Sequence, residues 1–233
     1  MPRTPTSIKK VTHVCDVEKS VKQQFAKVFK PADWHLFKDV AEYYLRQAAF
    51  LRKRDVNAAS KLKLLVRNSQ KRLFIGVGIE LLLKALYLKN GYAINKPERE
   101  NKTLKMPFKL DEATASQLVE AETFSLDKLI DQIERVLHLN NRVSVVRGLK
   151  IAKVFRNKEG HSVTALHAFD ASNYVDIETS LRELYLVGFH ETLTVRFSLA
   201  SNEQPRWRIR PAFQNIGNIS GRIATFPNKN ELF

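Results

Sequence analysis

The sequence predicts an all-α protein, a helical bundle that ends in a small β-hairpin-like tail. Three observations carry that prediction. Apolar residues recur at spacings of three and four in several separate stretches, which is the period of one helix face. The stretch Leu73 to Leu88 is apolar on nearly every side, as a helix central to its bundle must be. From Leu193 the period falls to two, as in a strand.

Residues 1–15 carry two prolines and no clear period and read as a lead-in, disordered or strand-like. From Asp16, the spacing of Val17, Val21, Phe25 and Val28 predicts a short amphipathic helix to Phe29. Pro31 interrupts it, because proline lacks the donor a helix interior needs. Residues 1–32 therefore form an N-terminal segment outside the bundle proper.

Asp33 is placed to cap the next helix, in which Trp34, Phe37, Ala41, Tyr44, Ala48 and Leu51 follow at alternating threes and fours. Its end, Arg52 to Asp55, is a charge cluster that reads as a solvated helix end or a phosphate contact. A further helix is expected to start between Lys61 and Ser69 and to stop at Asn90-Gly91. One narrow line interrupts its apolar surface: Arg72, Gly76, Glu80 and Lys84, each four residues from the next. That line is either a solvent-facing seam with an ordinary Glu80–Lys84 pair, or it points at something polar inside the protein.

Residues 91–121 read as a polar insertion between core helices, with a short helix near Asp111 to Glu120. Ser125 opens a helix whose inner stripe is Leu126, Leu129, Ile130, Ile133, Val136 and Leu137, and Asn140-Asn141 breaks it. Another helical piece runs from Arg142 to about Phe155, with Val143, Val146, Ile151 and Val154 as its expected inner face. A polar break, Arg156-Asn157-Lys158-Glu159-Gly160-His161, follows. A helix from about Ser172 to His190 sets Ile177, Leu181, Leu184 and Gly188 on one side and completes the bundle, residues 33–190. In the tail, 191–233, Leu193, Val195, Phe197 and Leu199 alternate with polar residues, and Arg206, Arg208 and Arg210 alternate with Trp207 and Ile209. A hairpin through the turn at Asn202 to Pro205 would place Arg196 and those three arginines on one face. That face is a candidate RNA contact or a merely soluble outer surface.

Composition bounds the function classes. Thirty-nine Lys and Arg against 24 Asp and Glu leave a formal charge of +15, which favours polyanionic partners, nucleic acid first among them. No helix opposes a wide basic face to a membrane-inserting apolar one, and no apolar run is long enough to span a bilayer, so no membrane partner is expected. The single Cys15 excludes an intramolecular disulfide and a thiolate zinc cluster, which fits a reducing compartment, the cytoplasm. The first ten residues lack the apolar core of a secretory signal.

Six histidines show no metal-ligand spacing with a carboxylate, so neither a metal nor another cofactor is expected. No nucleophile elbow and no P-loop is present, and Gly76 and Gly78 lie within a helix, not between a strand and a helix. The Arg156–His161 unit remains. Cleaving an RNA backbone requires a proton to leave the 2′-hydroxyl, a proton to reach the departing 5′-oxygen, and stabilisation of the charge on phosphorus. His161 titrates near neutrality and can carry a proton, Arg156 offers a planar fork for phosphate oxygens, and Asn157 can orient either one. One histidine is one proton carrier, so acid and base together imply a homodimer with two facing copies.

These residues resemble the HEPN domains, named for higher eukaryotes and prokaryotes nucleotide-binding. Arg156, Asn157 and His161 match the family's motif of arginine, polar residue, short spacer and histidine. Glu80-Leu81-Leu82-Leu83-Lys84-Ala85-Leu86 looks like its apolar second helix, and Ser125-Leu126-Asp127-Lys128-Leu129 like the start of its third. The resemblance spans about residues 33–190. It implies a four-helix core with extra helices and a metal-independent endoribonuclease that leaves a 2′,3′-cyclic phosphate. The motif would line a cleft shared by two protomers, with Glu80 facing it as a fourth catalytic residue and Lys84 and Lys158 contacting RNA beside it. It further implies a toxin or phage-defence effector with a possible antitoxin or regulatory partner. Val163 stands where members paired with nucleotidyltransferase antitoxins carry a tyrosine, so regulation by that modification is not implied. The alternative is a non-catalytic module of the same fold that binds RNA or nucleotides, or dimerises.

Overall fold

The computed structural model describes residues 12–51, 61–98, 104–159, 169, 171–197 and 206–212. Six helices and two small antiparallel sheets follow one another along these residues: α1 Thr12–Gln24, α2 Trp34–Phe50, α3 Lys61–Lys89, β1 Asn95–Pro97, β2 Leu118–Thr123, α4 Leu126–Val136, α5 Arg142–Glu159, α6 Ala171–Leu184, β3 Glu191–Arg196 and β4 Arg206–Pro211. The protein is mainly helical, as the periodicity predicts.

α3 is the centre. Ile75, Ile79, Leu82, Leu83, Ala85, Leu86, Tyr87 and Leu88 are all sealed from solvent. α2, α4 and α5 pack around it, and α6 packs on α5. Two glycines set how near the neighbours come. A Cβ on Gly78 would lie 2.7 Å from Leu45 Cγ of α2, and one on Gly76 would lie 2.5 Å from Arg156 Cβ of α5. α3 stops where expected: Gly91, with φ +76°, turns the chain after Lys89. The Tyr87 hydroxyl donates to Leu129 O at 2.7 Å and ties α3 to α4, and burial pushes that phenol well above its ordinary pKa.

α1 differs from expectation. It ends at Gln24, and Val17, Val21 and Phe25 are all exposed, so the amphipathic stripe is not seated on the bundle within the described residues. Asp33 does not cap α2 with its side chain. Its own backbone is already helical, closing a short 3₁₀ turn at Pro31–Asp33, and its carboxylate reaches back to accept Lys30 N–H at 2.8 Å and Lys27 Nζ at 2.7 Å. The Lys27 hydrogen bond is the main reason that carboxyl is held below the usual carboxylate range.

The insertion is not the loose polar excursion its composition suggests. β1 and β2 pair antiparallel, and Ala93, Ile94, Phe108, Leu118 and Phe124 join the core. The short helix expected at Asp111 to Glu120 is instead two single 3₁₀ turns, Leu110–Glu112 and Ala115–Gln117, leading into β2. They are separated because Ala113 and Thr114 are extended, a conformation held by Gln117 Oε1 accepting Thr114 N–H at 2.9 Å. Asn95 is fully buried and joins this sheet to the chain before α2. Its oxygen accepts Phe29 N–H at 3.0 Å, and its amide donates to Lys27 O and Val119 O.

α5 faces inward with a different set of residues from those expected. Val145, Gly148, Leu149, Ala152 and Phe155 are buried, whereas Val143 is 74% exposed and Val154 46%. Gly148 explains the misread phase, since α6 comes so close there that a Cβ would meet Asp176 O at 2.3 Å. The helix also runs four residues further than expected, so Arg156 to Glu159 form its last turn and not a break. α6 continues through a π-helical turn at Tyr185–Phe189 to His190, whose φ of 58° turns the chain into β3. The hairpin register pairs Thr192 with Arg210, Thr194 with Arg208 and Arg196 with Arg206.

Candidate functional site

The site is built where α3 crosses α5. Without a side chain at Gly76, the α5 backbone at Arg156 can lie against α3. Charged residues then meet on both sides of the crossing. Toward the N-terminus of α3, Arg72 Nε donates to Glu159 Oε1 at 2.5 Å, and Ser69 Oγ donates to Glu159 Oε2 at 2.5 Å. Toward its C-terminus, Arg156 Nε donates to Glu80 Oε2 at 2.6 Å, while Lys84 Nζ donates to Glu80 Oε1 at 2.9 Å. Each helix thus supplies one arginine and one glutamate to the other, a pairing that fixes the register of the crossing.

This settles the line Arg72, Gly76, Glu80 and Lys84. It is no solvent-facing seam: Arg72, Glu80 and Lys84 are all buried. Buried charges persist only when paired and hydrogen-bonded, and here each one has its partner.

The two ion pairs differ in exposure. The Arg72 and Glu159 side chains are 4% and 3% exposed, so that pair is a closed tether, with Arg72 also lying 5.1 Å over the Phe169 ring. The Arg156 side chain is 42% exposed while Glu80 is 11%. Arg156 has its Cβ against Gly76, its Nε on Glu80 and its Nη1 donating to Asn157 Oδ1 at 3.4 Å. A guanidinium held through Nε by a carboxylate and still partly exposed can receive an anion at its remaining N–H groups.

Of the expected site residues, Arg156, Asn157, Glu80 and Lys84 are therefore brought together. Lys84 sits beneath Glu80, largely buried and ion-paired, which places it to hold Glu80 and not to meet RNA directly. Glu80, committed to two cations, orients Arg156 and is a positioning residue in this arrangement. Lys158 is exposed on the same last turn. His161 and Gly160 lie outside the described residues. Among the described residues no group of three His, Cys, Asp or Glu side chains could hold a metal ion. None of the described helices is long and apolar enough to cross a membrane.

The hairpin arginines form a separate feature. Arg206, Arg208 and Arg210 are exposed on β4, Thr192 and Thr194 share their face through the register, and Arg196 is opposite Arg206. Sequence reasoning missed two other polar groups. Glu159 was given no role, although the spacings Arg72 to Glu80 and Arg156 to Glu159 pair the same two residue types in matching order. The second group lies between α2, the π-helical turn and β3: Lys38 Nζ donates to both Glu191 carboxylate oxygens at 2.8 Å, and the Tyr185 hydroxyl donates to Glu42 Oε1 at 3.2 Å. Burial pushes the Glu42 carboxyl up, an effect the Lys38 ammonium only partly offsets. No family model, curated protein or solved structure matches the chain.

Proposed function

We propose that the protein is a metal-independent endoribonuclease of the HEPN type. The observation that carries this reading is the Arg156 guanidinium, held through Nε by the buried carboxylate of Glu80 while 42% of the side chain stays exposed at the end of α5, five residues before His161. In the reaction one His161 takes the proton of a 2′-hydroxyl as that oxygen bonds to the adjacent phosphorus. A second His161, from a partner copy, gives a proton to the departing 5′-oxygen. The products are a 2′,3′-cyclic phosphate and a 5′-hydroxyl. Arg156 neutralises the phosphorane oxygens, Asn157 orients the fork and Glu80 fixes it.

Two copies are needed, and an exposed groove supports them. α4 and α5 enclose about 720 Å³ floored by Ile130, Val143, Val146, Ile151 and Val154. Asp131 and Glu134 stand on the α4 wall, Arg147 and Lys150 on the α5 wall. Within one chain Glu134 is paired with Arg142 and Arg147 with Asp176, and in this reading a second copy related by a two-fold axis along the groove sets Asp131 of each copy against Lys150 of the other. The biological setting that fits is a cytoplasmic toxin or phage-defence effector restrained by an antitoxin or other regulatory partner.

A second reading is a non-catalytic RNA-binding or dimerisation module, favoured by the fact that Arg156 already has a carboxylate partner. Labelled RNA incubated with the protein in EDTA separates the two. Cyclic-phosphate products are expected from the wild type, none from His161→Ala, and at least a tenfold slower reaction from Arg156→Lys, which keeps the charge and loses the fork. Intact RNA with wild type leaves only the binding module, and equal cutting by His161→Ala overturns the catalytic assignment of His161.

A further inference from the structure

We propose that the outer face of α2 is a self-association surface, on which a second copy of the chain lays its own α2 antiparallel. This goes beyond the ribonuclease reading and does not rest on it, since no residue of that face lines the α4–α5 groove or joins the Glu80–Arg156 crossing.

The face is a second stripe on α2, trailing the inward one by a residue. Leu36, Val40, Tyr43, Gln47 and Phe50 follow at spacings of four, three, four and three, the seam of a heptad pattern. Leu36 is 58% exposed, Tyr43 61% and Phe50 51%, and Val40 is open as well. The seam is braced from inside: the Tyr43 ring meets Tyr44 edge-on at 5.8 Å, and Tyr44 lies 5.5 Å from Phe74 of α3. Single exposed apolar residues are ordinary, but four in one line along about 25 Å of helix make a patch that another apolar stripe would cover.

The charges choose the occupant. One flank of the stripe carries Asp39 and Arg46, both exposed, and neither enters an ion pair with a described residue. The other flank is Phe37, Tyr44 and Leu51, which are half-buried and bear no charge. In an antiparallel pair each flank meets the same flank of the second helix. A two-fold axis across the middle of α2 therefore sets Asp39 of each copy against Arg46 of the other, twice. The same register puts Val40 of each copy against Tyr43 of the other. A parallel pair turns the charged flank onto the uncharged one and leaves both charges without partners. One cation and one anion give the face no net charge, which suits a copy of itself better than RNA or an anionic lipid surface. A single helix contact of this length is smaller than the interfaces of stable dimers, so a dissociation constant on the order of 100 µM is expected. Dilute protein keeps the state that the α4–α5 groove gives it, and concentrated protein is linked further through α2.

Sedimentation equilibrium of the full chain reads the contact. The weight-average mass should be nearly constant below about 5 µM and rise by at least half at about 500 µM. Asp39→Arg and Arg46→Asp should each abolish the rise and leave Tm unchanged, because both side chains face solvent in the single chain. An equimolar mixture of these two variants should restore it, since every contact between unlike copies then joins an arginine to an aspartate. Asp39→Arg/Arg46→Asp should restore it alone, and Leu36→Ser/Tyr43→Ser should abolish it in any mixture. Val143→Asp/Val154→Asp separates this surface from the α4–α5 groove: the rise should persist in that background, and a rise that disappears there belongs to the groove and overturns the proposal. A wild-type mass that never rises, a charge exchange that fails to restore the rise, or binding of the stripe to phosphatidylcholine vesicles in place of self-association overturns it too. Cleavage of RNA by dilute Asp39→Arg should match the wild type. A wild type that self-associates in this way and cuts no RNA defeats the ribonuclease reading and leaves this one standing.

Discussion

Glu80 decides what Arg156 can be. A glutamate in the middle of a helix apolar on nearly every side costs several kcal/mol to desolvate unless cations meet it, and Lys84 and Arg156 do so from two helices. The two partners are unequal: Lys84 is as buried as Glu80, while Arg156 can reach water. Removing the carboxylate therefore harms the lysine most. Glu80→Ala is expected to cost about 3 kcal/mol in urea unfolding, chiefly from the buried Lys84 left without a partner. Glu80→Ala/Lys84→Met, which removes both charges, should recover more than half of that loss. The same double variant should still cut RNA more slowly than wild type, because Arg156 loses its anchor in both. A stable Glu80→Ala protein would mean that water already screens the pair.

At the scale of elements, the α3–α5 crossing depends on the absence of a side chain at Gly76. Alanine there gains up to about 1 kcal/mol in helix propensity. Its Cβ, however, would lie 2.5 Å from Arg156 Cβ and 2.7 Å from Arg156 N, and backbone cannot swing aside. Overpacking of this kind costs about 1–3 kcal/mol, so Gly76→Ala is expected to be destabilising on balance, by about 1 kcal/mol, and to slow cleavage by moving α5 off Glu80. A neutral or raised Tm would show that the helices can separate without penalty. The same crossing marks the limit of what the sequence discloses. α2, the length of α3 and the arginine alternation of β4 were legible, because each is written in side chains of one period. The inner face of α5 was not, since its closest contact is Gly148, a residue with no apolar side chain to count, while valines on its outer face supplied a false stripe. The direction of the line Arg72 to Lys84 was also hidden. A charged row on an apolar helix reads the same from sequence whether water or the glutamate and arginine of α5 lie opposite.

At the scale of the whole molecule, the outer valines of α5 acquire a meaning that helix phase alone denies them. Val143 and Val154 are exposed beside half-buried Val146 and Ile151, and an apolar floor between oppositely charged walls resembles the centre and rim of a protein interface. Arg156 follows Val154 by two residues and so sits about 200° round α5 from it, which puts the groove and the candidate site at the same end of the helix but on different faces. Aspartate at both valines would place four carboxylates in the apolar centre of the dimer without touching the monomer core. Val143→Asp/Val154→Asp is therefore expected to run as a monomer in light scattering where the wild type runs as a dimer. Its Tm should lie within a few degrees of wild type at dilution, since the substituted side chains face solvent there. Cleavage should fall at least a hundredfold, because each copy keeps one histidine and loses its facing proton carrier. A variant that remains dimeric places the interface elsewhere, and a monomeric variant that cuts RNA at the wild-type rate shows that one chain holds both the acid and the base.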